Sequence, residues 1–439
     1  MSTRENAHGP ASEAQRFEVE GKGRDLVDEK PHVDYGSDEV ESQGFDVHAT
    51  KKLLRKIDWT LVPFLALLYL LSFLDRTNIG NARLAGLEED LGMDPNSLQY
   101  NTALSCFFPW YVAAEIPSNL AIITLWYKRH ECGFRMAIFF SAATASGAFG
   151  GLLARGIIEM DGLRGHSGWA WIFILEGIAT LIVAIVAFFV MQDYPATAKF
   201  LNASEKQEVQ RRLKEDRSAL ADEFDLKYFW DALRDWKICF SLFLPTIVAN
   251  LGYTANTAQL MTVPPYVAAC FFCIGAGFLA DKWGHRGIFM IFFDVVGIIG
   301  FIMQIATTNN AVKYAGTFFA ACGIYPNVPQ GVAWNGNNIG GSTKRGVGIA
   351  MHVGFGNLGG AIAGFLYQAK DKPQYYPGHG TLIACLFMSL VLSVIMTLYL
   401  RRENARRDRE YKHPDEYTAE EKWTEREKGD NATFFRYTV

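Results

Sequence analysis

Several things are scarce in this chain, and each absence narrows what it does. It has no surplus of positive charge: 42 Lys and Arg face 46 Asp and Glu, for a formal net charge of −4. The basic footprint of a general nucleic-acid binder is therefore missing. The first fifty residues hold no apolar stretch of the kind that forms a signal-peptide core. No phosphate loop, catalytic-triad pattern or H-E-x-x-H sequence occurs, so there is no motif-based case for an enzyme, a metal or an organic cofactor. Cysteine is sparse at seven residues, mostly inside apolar runs. Cys270 and Cys273 form a C-x-x-C, yet their neighbours read Ala-Ala-Cys-Phe-Phe-Cys-Ile-Gly with no second ligand pair nearby. Buried small residues fit that setting better than a redox or metal site.

Charge is also absent from long internal stretches, and this absence sets the class. Thr381–Leu400 runs for twenty residues without a charged side chain. At about 1.5 Å rise per residue such a helix crosses a hydrocarbon core of about 30 Å. A core helix of a soluble protein would carry a polar stripe, and this one has none. Further candidate spans start near Trp59 and cover about 102–125, 134–157, 169–192, 238–252, 262–280, 287–307, 313–334, 346–367 and 379–400. An all-α membrane protein of about ten transmembrane helices is expected, embedded in a lipid bilayer.

The connections alternate in charge. Lys128-Arg129-His130, the polar stretch before residue 237, Asp281–Arg286, Thr343-Lys344-Arg345 and Arg401-Arg402 fall on one side. The opposite connections hold few basic residues, and Glu88, Glu89 and Asp90 make the first of them acidic. The positive-inside rule places both termini in the cytosol. The chain then divides into a disordered acidic N-terminal tail (1–50), a membrane half (51–192), a cytosolic central loop (193–237), a second membrane half (238–400) and a cytosolic C-terminal tail (401–439). The tail 1–50 carries five basic and twelve acidic residues with little to bury. The sequons at Asn202 and Asn431 fall on the cytosolic side and should carry no glycan.

Some residues do not belong in a membrane. The uncharged run from Leu61 to Leu74 is only fourteen residues, so a spanning helix must continue through Asp75, Arg76 and Asn78. Charges at depth cost about 2.5–3.5 kcal/mol each on insertion scales. Either Asp75 and Arg76 cap the span at its outer interface, or they face a cavity. In the second reading Arg76 offers a guanidinium fork to a carboxylate while Asp75 holds it or takes a proton. Glu115 sits among aromatic and small residues, as in a cavity wall; Glu176 and Asp294 read more simply as partners for polar groups on neighbouring helices. Gly356, Gly360 and Gly364, and Gly147 with Gly151, repeat at the spacing of close helix contacts. Asn357 lies beside the first stripe.

The motifs then become recognisable. Gly277–Arg286 (Gly-Phe-Leu-Ala-Asp-Lys-Trp-Gly-His-Arg) fits the G-x-x-x-D-[RK]-x-G-x-[RK] loop of the major facilitator superfamily. With Asp75–Ala82, Glu115-Ile-Pro-Ser-Asn119, Trp126–Glu131, Gln259–Tyr266 and Trp334-Asn-Gly-Asn-Asn338, residues 50–410 resemble the fungal anion:cation symporters, the allantoate and nicotinate permease group. The resemblance implies the twelve-span major facilitator fold, alternating access, and proton-coupled uptake of a small organic anion at the plasma membrane. Carried over, Arg76 is the substrate anchor, with Tyr111 and Asn357 as further pocket residues. Asp75 is the coupling acid, and Glu115 joins it as the second candidate. Asp281, Gly284 and Arg286 form the gating latch. The sequence departs from that pattern. Asn119-Leu-Ala121 runs almost directly into the segment before Trp126, where the family has a loop, a third span and most of a fourth; a second shortening falls at Trp236–Ser241. An incomplete fold follows, with spans 3 and 4 and part of span 7 missing. The alternative to transport is a shortened, transport-inactive product or a membrane receptor.

Overall fold

The structure is a computed structural model that describes residues 45–94, 98–118, 126–128, 131–192, 194–217, 230–231, 235, 256–363, 365–366 and 374–439. The N-terminal tail, the expected span 238–252 and most of the joint 119–130 lie outside the described residues.

The first helix starts earlier than the apolar run suggests. Asp46 caps it, accepting the Val47 amide at 2.7 Å, and α1 continues to Leu84. The basic lead-in Lys51–Lys56 is therefore part of α1, because Leu53 and Ile57 on one of its faces are buried against Leu201, Val209 and Leu213. A short α2 (Leu87–Asp90) and α3 (Gln99–Ser118) follow. Next come α4 (Cys132–Ile158), α5 (Gly168–Val190) and the charged α6 (Ala203–Arg217). The later helices are α7 (Asn256–Trp283), α8 (Arg286–Ala306), α9 (Asn310–Ile324), α10 (Asn327–Asn337), α11 (Ser342–Ala363) and α12 (Tyr376–Glu410). The expected span 313–334 is thus two helices, divided at Tyr325-Pro326, where proline lacks the amide a continuous helix needs.

Among the described residues, six helices are long and apolar enough to cross a membrane: α1, α4, α5, α7 from Val263, α8 and α12. Their outer faces are apolar, as Leu181, Phe188 and Phe189 on α5 and Phe271 and Phe272 on α7 show. With no water to exclude between helices in lipid, packing rests on close approach of small residues. The seam between α4 and α7 illustrates this. Gly277 lies on Ala137, Cys273 reaches the Ala137 carbonyl at 3.6 Å, and Cys270 reaches that of Ser141 at 3.8 Å. Both cysteines thus sit in the seam between the two helices. Between α8 and α9 the glycines Gly297, Gly300, Gly316 and Gly323 bring backbone onto backbone.

Charged groups gather at the end of the bundle where α4 begins. Arg135 grips Asp58 through two nitrogens at 2.6 and 2.9 Å, and Arg212 of α6 meets Glu131 at 2.5 Å. Lys56 meets Glu205 at 2.6 Å. Burial alone would raise the Glu205 carboxyl, but Lys56 and the Asn202 amide outweigh it and hold it below the ordinary carboxylate value. At this same end the residues after α12 fold back. A helix α13 (Ala419–Thr424) and a tight 3₁₀ turn (Arg426–Asn431) lead to Phe434, Phe435 and Tyr437, buried against Met290, Trp334, Met396 and Leu400.

Candidate functional site

Helical spacing on α1 separates two polar faces. Residues three apart share a face, so Arg76 stands over Phe73, its guanidinium carbon 4.4 Å from the ring centroid. Asp75 and Asn78 share another face, turned to α5. Asp75 lies toward Thr180, and Asn78 toward Glu176, one helical turn away from Thr180. Arg76 is 7% exposed, and its Nη1 donates to Asn357 Oδ1 on α11 at 3.1 Å. Phe108 of α3 comes within 5.7 Å of the same guanidinium. An amide oxygen and aromatic faces around a buried arginine fix the plane of its guanidinium fork. Of the residues singled out in the sequence, the structure thus brings Arg76 and Asn357 together. It places Asp75 beside them on the neighbouring face. Tyr111 and Glu115 fall in α3, but their side chains lie outside the described residues.

Beside Arg76 is a partly open cavity. Tyr69, Phe73, Phe140 and Ala143 line it from α1 and α4. Ile324, Tyr325, Val328, Val332, His352, Val353, Gly356 and Asn357 line it from α9, α10 and α11 and the joint between the first two. Phe73 and Asn357 belong to this wall and also touch Arg76, so the cation stands at the cavity's edge. Sequence reading missed Tyr69, Phe140, Tyr325 and His352. His352 alone left a legible signal, a titratable ring inside an otherwise uncharged run.

The second constellation closes the end nearest the start of α4. Gly284 adopts φ +69°, a left-handed turn that frees the chain to pass from α7 to α8. The turn sets Arg286 against Asp281 as a buried ion pair. Asp281 also accepts the Phe134 amide at 2.6 Å, in the open first turn of α4, where a helix favours negative charge. Arg286 donates to Gln330 at 2.9 Å. A Cβ on Gly133 would fall on the side-chain ends of both members of the pair, so a larger residue there has to displace them. Asp281, Gly284 and Arg286 thus join the α7–α8 turn to α4. Elsewhere Asp294 accepts from Asn327 at 2.7 Å and Ser389 at 3.0 Å, tying α8 to α10 and α12.

A bundle of apolar helices with a closed end, an internal cavity and a buried cation at its edge is the build of a membrane carrier. The profile of the Major Facilitator Superfamily matches residues 105–240 and 235–432. A transporter of Schizosaccharomyces pombe is 31% identical over 449 aligned residues, covering 86% of this chain and 92% of the relative. The high-affinity nicotinic acid transporter of Saccharomyces cerevisiae is 29% identical, covering 81% and 78%. Among solved structures, the proton:xylose symporter XylE bound to 6-bromo-6-deoxy-D-glucose aligns over 82% of this chain and 87% of its own, at 15% identity and a TM-score of 0.44. The chain belongs to the Major Facilitator Superfamily and is a transporter of that family rather than an enzyme.

Proposed function

We propose that this chain is a secondary transporter that takes up a small organic carboxylate, coupled to protons, by alternating access. The observation that carries the reading is Arg76: a guanidinium buried at the edge of an internal cavity, with Asn357 of α11 on one nitrogen. A carboxylate arriving there accepts a planar pair of hydrogen bonds that a dry site strengthens. Asp75, next in sequence but turned to Thr180, is the proton carrier in this scheme. Glu115 remains a candidate second acid, and Tyr111 a candidate pocket residue. The two membrane halves 51–192 and 238–400 rock about the cavity. The Asp281–Arg286 latch with the α4 amide closes the cytosolic side, where both termini and the segment 193–237 lie, and the plasma membrane is the site of action. The nicotinic acid transporter among the relatives supports a carboxylate cargo.

A second reading is favoured by the alignment itself. The 86% of this chain that aligns with the S. pombe transporter is about 378 of its 439 residues, set against 449 aligned positions. At least about 70 positions therefore face gaps here. That supports a fold short of about two spans, and with it a transport-inactive product or a receptor. Uptake of radiolabelled nicotinate by cells expressing this chain decides between the readings. Accumulation several-fold above the Arg76→Ala variant, greater at external pH 5 than at pH 7.5 and lost in Asp75→Asn, is the expected result. Uptake equal to that of cells without the protein overturns transport by this chain.

A further inference from the structure

The cavity wall carries information beyond charge. Resting on the carboxylate reading, we propose that the site is built for a flat aromatic monocarboxylate, with His352 as the specificity-determining residue for the ring's far edge. Among the described wall residues there is no lysine, arginine, aspartate or glutamate, so Arg76 at the edge meets one anionic group and no described wall residue meets a second. Tyr69, Phe73, Phe140 and Tyr325 contribute aromatic surface, and Val328, Val332 and Val353 aliphatic surface. Such walls favour a flat ring by stacking and apolar contact. They offer few partners to the several donors of a ureide and no described cation to the second carboxylate of a diacid, which costs affinity. His352 is fully buried, with its ring edge against Gly331. It lies five residues from Asn357 on α11, about 7.5 Å along the axis at about 1.5 Å per residue. One imidazole nitrogen donates and the other accepts in the neutral ring, so a polar atom on the distal part of a substrate ring has a partner there.

The test uses purified protein and equilibrium binding of benzoate, picolinate, nicotinate, isonicotinate, succinate and allantoate. The aromatic acids are expected to bind at least tenfold more tightly than succinate and allantoate. Nicotinate and isonicotinate, with a distal ring nitrogen, should exceed picolinate and benzoate, and His352→Phe should remove that excess while leaving benzoate within about twofold. Equal binding of the three pyridine isomers overturns the role of His352 without needing any variant. Succinate or allantoate binding as tightly as benzoate overturns the aromatic class and leaves the carboxylate reading standing. No binding of any anion overturns both.

The segment after α12 carries a second inference independently of the cavity. We infer that residues 426–439 form a strap that holds the gate-bearing turns in their closed arrangement. Val439 accepts the backbone amide of Arg286 at 2.8 Å. The Thr438 carbonyl takes the indole of Trp334 at 2.8 Å and the amide of Asn338 at 2.9 Å, and Asn338 accepts the Thr438 amide at 2.7 Å. Lys344 lies between Asp430 and Asp235 at 2.7 Å from each. Arg407 collects the carbonyls of Asp430, Ala432 and Phe435 at 2.9–3.2 Å and fixes the strap's path. The strap thus touches both turns that reach across to α4. One is the turn holding Arg286, whose Asp281 accepts the Phe134 amide; the other begins α11, where Arg345 contacts Cys132 at 3.6 Å.

Cys132 is 1% exposed at that junction and serves as a native reporter, while Cys273, fully buried between α7 and α4, reports unfolding. Labelling with N-ethylmaleimide is followed at each cysteine by peptide mass spectrometry in the full chain, in a chain ending at Glu425, and in Trp334→Phe. The shortened chain should label at Cys132 at least fivefold faster, and Trp334→Phe measurably faster, with Cys273 still protected. Unchanged protection of Cys132 overturns the strap. So does joint exposure of Cys132 and Cys273, which makes the segment a general stabiliser.

Discussion

Replacing Arg76 with lysine is expected to weaken nicotinate binding about tenfold to a hundredfold without lowering the thermal stability of the protein. Lysine keeps the positive charge, so a loss of affinity isolates the fork. The guanidinium stands over Phe73 at 4.4 Å and donates to Asn357 at 3.1 Å. Asn357 therefore fixes the plane in which the remaining N–H groups point. An ammonium is a compact point charge with three rotatable donors and cannot present two parallel N–H groups to one carboxylate. Loss of one hydrogen bond to a charged group corresponds to about 1.5–3 kcal/mol, which is the stated range of affinity. Asn357→Ala should act in the same direction and more weakly, since it releases the guanidinium without removing it. Equilibrium binding to the purified variants is the measurement. Unchanged affinity in Arg76→Lys would leave Arg76 as a charge at the outer interface of its span and remove the main support for a carboxylate substrate.

The reason Arg76 was legible in the sequence is physical. A charge that a spanning helix cannot avoid must face protein or a cavity, and fourteen uncharged residues before Asp75 left α1 no other course. The turn Asp281–Arg286 was legible for a different reason, its match to the G-x-x-x-D-[RK]-x-G-x-[RK] loop of the major facilitator superfamily. What stayed hidden is whatever depends on which helices become neighbours. Nothing local announces that Tyr69 and Phe140 face Tyr325 across one space, because an aromatic residue in a membrane helix suits lipid and cavity equally. The residues after Arg401 read as a polar tail. Their fold depends on Phe434, Phe435 and Tyr437, scattered apolar residues that find cover only once α8 and α12 have met. The division of α9 from α10 at Pro326 could have been read from proline chemistry, yet the surrounding apolar run concealed it.

The glycine stripes show the same limit. Spacing singled out Gly147, Gly151, Gly356, Gly360 and Gly364. Gly147 meets the Tyr266 ring and Gly356 borders the cavity, while Gly364 and the surroundings of Gly360 lie outside what the structure describes. The close contacts of helix backbone on helix backbone fall instead between α8 and α9, and they set the largest stability effect expected here. Gly323→Ala should destabilise the protein by about 3 kcal/mol or more, enough that the variant is recovered poorly or melts well below the parent. A Cβ on Gly323 would fall on the Gly297 amide nitrogen, within 2.5 Å of the Gly297 Cα and 2.7 Å of the Phe293 carbonyl oxygen. These are backbone atoms of a helix that cannot turn aside as a side chain would. The helices must separate along their whole contact, which exceeds the about 1–3 kcal/mol usual for one extra methylene in a core. Gly300→Ala should behave alike, since its Cβ would lie 2.8 Å from both the Ala320 Cα and the Gly316 carbonyl oxygen. Gly275→Ala on α7 meets nothing within 4 Å. It should be neutral or stabilising by up to about 1 kcal/mol, the helix-propensity difference between glycine and alanine. Thermal unfolding of the three variants in one detergent separates the two sets. If Gly323→Ala melts with Gly275→Ala, α8 and α9 do not meet backbone to backbone, and the packing described for this pair is wrong.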